Sequence, residues 1–465
     1  MLSALRPLPP SNVTAWESLT LAVSAPATYL EKTLAGRPVA KGRTFTSASA
    51  AVADLALVRE LVAADGDSNR VGYPASTVTL LGPNSLSMVA DVERHRYLRR
   101  LISPGMASEE IDAALPRLAL LAEKLLEGWA AEGHAGRTVS AVRGLKSFTF
   151  NIIMTIVFGE ELQLPAARTA ELEGHFTDLV ANLFLPPQLT VDAWPFPFHD
   201  SMQARTKLLD FIKEQIILIR AQIAASDGSS RRTNAAGSRY GALRGILLAR
   251  DEDGAGLTDD EAADNVVTLL FAGYDTTSSS LASAMHQIAM NPSVMAKLRA
   301  EQKEIVATYG PAFTPEVMRR MQYTEAVNRE TLRFKPIIAA ILRQSSKDFG
   351  LGGFLIPKDM IISVAIATIL QNDPRWAEEE GALSPLLFNP DRFMTVEGGK
   401  AGEQVPFGVG SRNCLGMPLA LAEMKIVLAV LARKFSYTAD CDTDYKEFPI
   451  PEPRNGLPVL MTRYA

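Results

Sequence analysis

The feature that most limits this fold is one long apolar helix. Thr258-Asp259-Asp260-Glu261 has capping-box spacing, in which hydroxyl and carboxylate each accept from the other residue's backbone N–H. Asn291-Pro292 closes the run. Roughly thirty residues lie between them, on the order of 45 Å of helix at 1.5 Å per residue. From Asn265 to Met285 the only charged residue is Asp275. A helix apolar nearly all round belongs in the middle of a protein, so the rest of the chain must surround it. A buried acid there is costly unless it is paired or used. Gly273 costs roughly 1 kcal/mol against alanine in a helix interior, and Thr276 can turn its hydroxyl back to the carbonyl four residues earlier. Ala272-Gly273-Tyr274-Asp275-Thr276-Thr277 therefore reads as a deliberate local opening, with an ordinary packed core helix as the competing reading.

A second constraint is Phe407-Gly408-Val409-Gly410-Ser411-Arg412-Asn413-Cys414-Leu415-Gly416. Three glycines permit tight turning and close backbone approach. Met417 to Leu431 follows at helical spacing, and a helix opening just after Cys414 aims peptide N–H groups at its sulfur. With Arg412, those dipoles favour the thiolate. A thiolate in a rigid, donor-rich turn is what axial ligation of haem iron requires. The alternative is a buried cysteine in an ordinary loop.

Composition excludes several classes. The 465 residues carry a net charge of −5, which gives no support for nucleic-acid binding. Two cysteines, Cys414 and Cys441, argue against a disulfide framework, and five histidines offer little for a zinc site. The best N-terminal apolar window, Leu19 to Leu30, is shorter than the ~20 residues a bilayer-crossing helix needs. Residues 1–34 read as an extension or hinge and 35–465 as a single domain. A soluble chain, one whose anchor has been removed, and a transit-peptide remnant all fit this start.

Along the chain, residues 36–62 suggest strands (Thr44-Phe45-Thr46) and then a short helix, and Ala64 to Ser76 a loop. Glu93 to Leu101 is a basic helix on which His95 and Arg99, four apart, share a face. Alone, it reads as a solvated basic helix. Ile111 to Arg220 is mostly helical, broken by the Pro- and aromatic-rich stretch 185–198. That stretch suggests a substrate- or membrane-facing lid or core packing under a loop. The tract 226–238 reads as a flexible surface connection. Thr314-Pro315 caps a helix running to Arg333, on which Glu330 and Arg333 can pair. Phe354 to Ile362 reads as a hairpin with a polar turn, and Tyr445 to Tyr464 as a further β segment. The expected fold is mainly α with small mixed β-sheets.

Four separated motifs resemble the cytochrome P450 family: 95–99, 272–277, 330–333 with Arg392, and 407–416. The resemblance covers roughly residues 35 to 462 and implies haem b held between the oxygen-activation helix and the cysteine loop. It implies Cys414 as iron ligand and Asp275 with Thr276 as an acid–alcohol pair that delivers protons for O–O cleavage. His95, Arg99, Arg343 and Arg412 become propionate donors, with Phe407, Gly408, Gly416 and Ala272 lining the haem. Glu330, Arg333 and Arg392 become a buried structural triad. The pocket is expected near Leu81, Phe184, Val267, Phe271, Ile338, Ala339 and Leu457, mostly apolar and suited to an isoprenoid, retinoid, steroid or fatty acid.

The wording near 81–86 and 245–251 is similar to the retinoic-acid hydroxylases of animals and cyanobacteria. Plant enzymes acting on brassinosteroids and abscisic acid share this style. Pro336-Ile337 departs from the family's double proline. The implied activity is monooxygenation with O2 and two electrons, ultimately from NAD(P)H through a separate reductase or ferredoxin. Arg94, Arg96, Arg100 and Lys425 are a candidate docking face for it. A monomer is implied, cytoplasmic or plastid, or membrane-associated with peripheral contact. Two other readings on the same scaffold are a hydroperoxide lyase or isomerase and a non-catalytic haem or lipid carrier.

Overall fold

A computed structural model describes residues 5–11, 13–14, 21, 24–44, 47–160, 162–185, 189–225, 241–372, 384–394 and 405–464. Helices dominate and the sheets are small and mixed, as expected. In chain order, the elements that position the site begin with β1 (Val39–Thr44), β2 (Ser47–Val52), α1 (Leu55–Ala63) and β3 (Asn69–Val71). Then come α2 (Val92–Ile102), α3 (Pro197–Ala225), α4 (Asp259–Met290) and α5 (Gln322–Phe334). The last are β4 (Ile341–Ser345), β5 (Ile361–Val364) and α6 (Met417–Lys434). They fall into two compact units, one of residues 1–72, 111–148 and 276–465, the other of 73–110 and 149–275.

In the first unit a five-stranded sheet runs β1-β2-β5-β4-β3. β1 and β2 form an antiparallel hairpin with Val39 opposite Val52, whereas β2 and β5 pair in parallel. Val71 lies opposite Arg343. One face of the sheet is sealed by Val39, Val52, Leu61, Ile362, Val364, Leu370 and Val405, all buried. Burying such side chains is worth about 1.5–3 kcal/mol each, which fixes the sheet that carries Arg343.

The second unit is helical and centres on the first half of α4. Phe150, Phe176 and Tyr274 meet with ring centroids 5.2–6.1 Å apart. The helix Ala141–Phe158 is long and apolar enough to cross a membrane by length and composition, and 56% of that stretch is buried within the protein.

Several local expectations hold. Thr258 N–H donates to Glu261 Oε2 at 2.9 Å and Glu261 N–H to Thr258 Oγ1 at 3.2 Å, so the capping box forms. α4 ends at Met290, and the next helix begins at Pro292. Thr314 accepts from Val317 N–H at 3.2 Å.

Three expectations are corrected. Residues 64–76 are not all loop: Asn69–Val71 pairs with β4, and a helix starts at Ala75. The helix from Pro315 breaks at Met321, because Glu301 caps a new helix by accepting from Tyr323 and Thr324 N–H at 2.5 and 3.0 Å. The hairpin is Phe349–Leu351 with Phe354–Ile356, turning at Gly352 and Gly353, both at positive φ; 361–364 joins the large sheet instead. Phe45, Thr46 and the 226–238 tract lie outside the described residues.

Candidate active site

The cysteine loop is built by two glycines. Gly408 and Gly410 sit at φ +79° and +77°, a region that favours residues without Cβ. At Gly410 there is a second reason, because a Cβ would fall 2.1 Å from Val62 Cγ1 at the end of α1. Cys414 N–H donates to the Phe407 carbonyl at 2.8 Å, closing the turn, and the Cys414 side is exposed. Gly416 stands beside the sulfur, 3.9 Å from where its Cβ would be, and α6 opens at Met417.

Beside the loop, Arg412 Nε donates to Asp65 Oδ2 at 2.6 Å, and Arg343 Nη1 lies 3.8 Å from Asp65 Oδ1. All three side chains are buried. Two of the expected propionate donors are thus brought together by Asp65, an acid far from both in sequence.

Glu330, Arg333 and Arg392 also meet. Arg333 grips Glu330 with two parallel hydrogen bonds, Nε to Oε2 at 2.7 Å and Nη2 to Oε1 at 2.8 Å. Arg392 Nε donates to Oε1 at 3.1 Å. The remaining capacity goes to backbone. Asn389 N–H donates to Glu330 at 2.7 Å, Arg333 donates to the Pro385 carbonyl at 2.9 Å, and Arg392 to Leu387 at 3.1 Å. The triad is therefore a clamp on residues 384–392.

In the second unit, Asp91 caps α2 by accepting from Arg94 N–H at 2.6 Å. His95 is buried on this helix, and Arg99 lies four residues on. Arg94 pairs with Glu261 at the start of α4, while Arg96 is exposed beside Glu93. Lys425, in the first unit, is held by Glu325 at 2.8 Å and is largely buried. Of the four basic residues expected to form a docking face, Arg96 and Arg100 are therefore the exposed ones.

α4 carries a second clamp with no counterpart in the sequence reading. Asp264 accepts from Arg205 Nη2 on α3 at 2.5 Å and from Asn84 Nδ2 at 3.1 Å. Asn265 accepts from Leu86 N–H at 2.8 Å, and Thr268 donates to the Leu81 carbonyl at 3.3 Å. Gly82 is obligatory, since a Cβ would sit 2.2 Å from the Asp264 carboxyl carbon. Burial, opposed by Arg205 and Asn84, holds the Asp264 carboxyl above its ordinary value.

At the centre of α4 the helix runs unbroken, so the expected local opening does not interrupt its hydrogen bonding. Gly273 has another use: a Cβ would stand 3.1 Å from Ile153, so it lets the helices approach closely. Thr149 Oγ1 donates to the Tyr274 carbonyl at 2.9 Å. Asp275 is buried, Thr276 is half-buried, and Ala272 is exposed. Among the expected pocket residues of this unit, Leu81 and Val267 are buried, and Phe184 and Phe271 half-buried. In the first unit Ile338 and Ala339 are half-buried, and Leu457 is buried at φ +48°.

Sequence reading also passed over Glu423 on α6, a buried acid whose carboxyl is raised well above its usual range by burial alone. It sits among apolar residues on an apolar helix, and that was the available signal.

Residues 37–459 match the family model described as Cytochrome P450. An abscisic acid 8'-hydroxylase 1 of Arabidopsis thaliana is 28% identical over 398 residues, 84% of this chain and 76% of the relative. A putative cytochrome P450 120 of Synechocystis is 28% identical over 429 residues, covering 91% and 89% of the two chains. The solved structure of retinoic acid-bound cyanobacterial CYP120A1 superposes with a TM-score of 0.84 at 25% identity, covering 99% of this chain and 100% of that one. The chain therefore belongs to the cytochrome P450 family and is a monooxygenase, an oxidoreductase with haem as cofactor and dioxygen as co-substrate.

Proposed function

We propose that this enzyme hydroxylates an isoprenoid-like hydrophobic molecule, with Cys414 as iron ligand and Asp275 and Thr276 as the proton-delivering pair. The observation that carries the role of Cys414 is the loop itself. An exposed thiol stands on a turn fixed by two left-handed glycines and by the buried Arg412–Asp65 contact. The donor set fits haem: Arg343, Arg412 and Asp65 together carry a net charge of +1, which suits a group bearing carboxylates. Haem, when bound, supplies the activation of dioxygen.

The residues of the chain do the rest. Cys414 would donate electron density as thiolate when haem is bound, while Arg343, Arg412, His95 and Arg99 would hold its carboxylates. Phe407, Gly408, Gly416 and Ala272 would line the haem. Asp275 passes a proton and Thr276 positions it. The clamp of Glu330, Arg333 and Arg392 keeps the backbone behind the cysteine loop rigid. Leu81, Phe184, Val267, Phe271, Ile338, Ala339 and Leu457 exclude water from the substrate. Support for the substrate class comes from relatives named for abscisic acid, ent-kaurenoic acid and beta-amyrin, and from a neighbour bound to retinoic acid. Those names are of hydroxylases and oxidases, which favours monooxygenation over the lyase and carrier readings. Electrons come from NAD(P)H through a separate partner, and residues 35–465 act as one monomeric catalytic domain. Trp194 and Phe196, both exposed, favour peripheral contact with a membrane.

Two measurements test this. The reduced carbon-monoxide complex is expected to show the red-shifted thiolate Soret band in the parent and to lose it in Cys414→Ser. A variant that keeps the band overturns the ligation. Asp275→Asn is expected to lower kcat by about 10²-fold, in the range of general acid catalysis. Its substrate-induced spin shift with an isoprenoid panel should stay unchanged. An unaltered kcat removes Asp275 from proton delivery.

A further inference from the structure

Asp65 follows α1, in the turn that leads into β3. Its carboxylate lies between two guanidiniums, 2.6 Å from Arg412 Nε and 3.8 Å from Arg343 Nη1, with the three side chains 4–8% exposed. The placement is imposed by backbone on both sides. The cysteine loop presses on the end of α1 so closely that Gly410 has no room for a Cβ beside Val62. Asn69 Nδ2 ties the turn back to the Leu61 carbonyl at 2.8 Å. A Cβ at Gly72 would lie 2.6 Å from the Arg343 carbonyl carbon, so the chain leaving β3 runs hard against β4. A buried carboxylate this constrained orients whatever it binds.

We propose that Asp65 is a positioning residue for the haem, a reading that rests on the haem-thiolate assignment above. By holding Arg412 through Nε it fixes the plane of that guanidinium, and by standing beside Arg343 it orients a second one. It also places a negative charge inside the cationic donor set. A charge in a buried site acts over distance with little screening. Asp65 therefore opposes addition of an electron to the iron and keeps the reduction potential low.

The test uses the haem-loaded full chain, first checked for the thiolate Soret band of its reduced carbon-monoxide complex. Absence of that band in the parent defeats the haem-thiolate assignment, and with it the premise here. With the band present, potentials and haem-transfer rates to a haem-scavenging apoprotein are compared for the parent, Asp65→Asn, Asp65→Ala and Asp65→Glu.

Asp65→Asn keeps an oxygen that accepts from Arg412 but loses the charge. Its reduction equilibrium should shift toward the ferrous form by about tenfold, ~59 mV for one electron, with haem transfer unchanged. Asp65→Ala should show the same potential shift and release haem about tenfold faster, since orientation is lost as well. Asp65→Glu should return the potential toward the parent value. A parental potential in Asp65→Asn overturns the electrostatic role, and this isosteric variant decides that point even if Asp65→Ala does not fold. Parental haem transfer in a folded Asp65→Ala overturns the positioning role.

Discussion

Glu330 and Asp264 are buried acids that hold backbone, and they do it differently. Glu330 in the first unit faces two arginines and a backbone N–H, and each of these partners, among the described residues, belongs to or is bonded to the segment 384–392. Asp264 in the second unit has one arginine and an asparagine, and it anchors the segment 82–86. The first is a charge matched in full by bidentate and single guanidinium contacts, 0% exposed. The second is charged against the pull of its surroundings, since burial outweighs Arg205 and raises its pKa. The lesson is that a buried carboxylate with surplus cations stiffens what it touches. One with a single cation keeps protonation as an escape.

That contrast can be broken by substitution. Glu330→Gln leaves Arg333 and Arg392 buried beside a neutral amide. The expected loss is about 3–5 kcal/mol, the cost of stripping one partner from a buried pair. Denaturant unfolding of the haem-loaded protein measures it, and a loss below ~1 kcal/mol would show that the clamp does not need charge. Arg205→Met does the matching experiment on Asp264. Because the acid can take a proton, the expected loss is only about 1–2 kcal/mol near neutral pH. A penalty as large as that of Glu330→Gln would erase the difference between the two sites.

The smallest effect is expected from Asp264→Asn, less than about 1 kcal/mol, because the amide keeps the same shape and can still accept from Arg205. Its value lies in pH dependence. The folded-state pKa of Asp264 is raised, so the folded protein binds the proton more tightly than the unfolded chain does. The stability this contributes is complete below the unfolded value near 3.9 and is lost as pH rises through the higher folded value. Parent stability relative to Asp264→Asn should therefore decline as pH rises from about 4. Parallel profiles for the two proteins would mean that Asp264 is not strained by burial.

The two clamps were also unequally legible. Glu330 and Arg333 stand three apart on one helix, so their pairing can be read from spacing. Asp264 meets Asn84 across 180 residues and Asp65 meets Arg412 across 347, and no local pattern marks either. Caps were readable for the same local reason, as at Thr258 with Glu261 and at Thr314. The helix break at Met321 was not, because its cause is Glu301 on a neighbouring helix. The hairpin at 349–356 was misplaced because alternation alone cannot say which strand takes which partner. Gly352 and Gly353, with the positive φ a tight turn needs, settle it.

What the sequence determined by itself is whatever residues a few positions apart can decide. That includes the span of α4, the glycine-built cysteine loop that leads into α6, and the Glu330–Arg333 pair. Those patterns sufficed for the helical class, since helical spacing and turn chemistry act over less than about ten residues, and they carry the resemblance that implies the family and its chemistry. Tertiary structure alone decided which distant groups share a charge. It put Asp65 between Arg343 and Arg412, and Asp264 against Arg205. It also gave Gly273 a packing role against Ile153. Burial and contact between distant segments exist only once the chain has folded, and they set the energy of a buried charge.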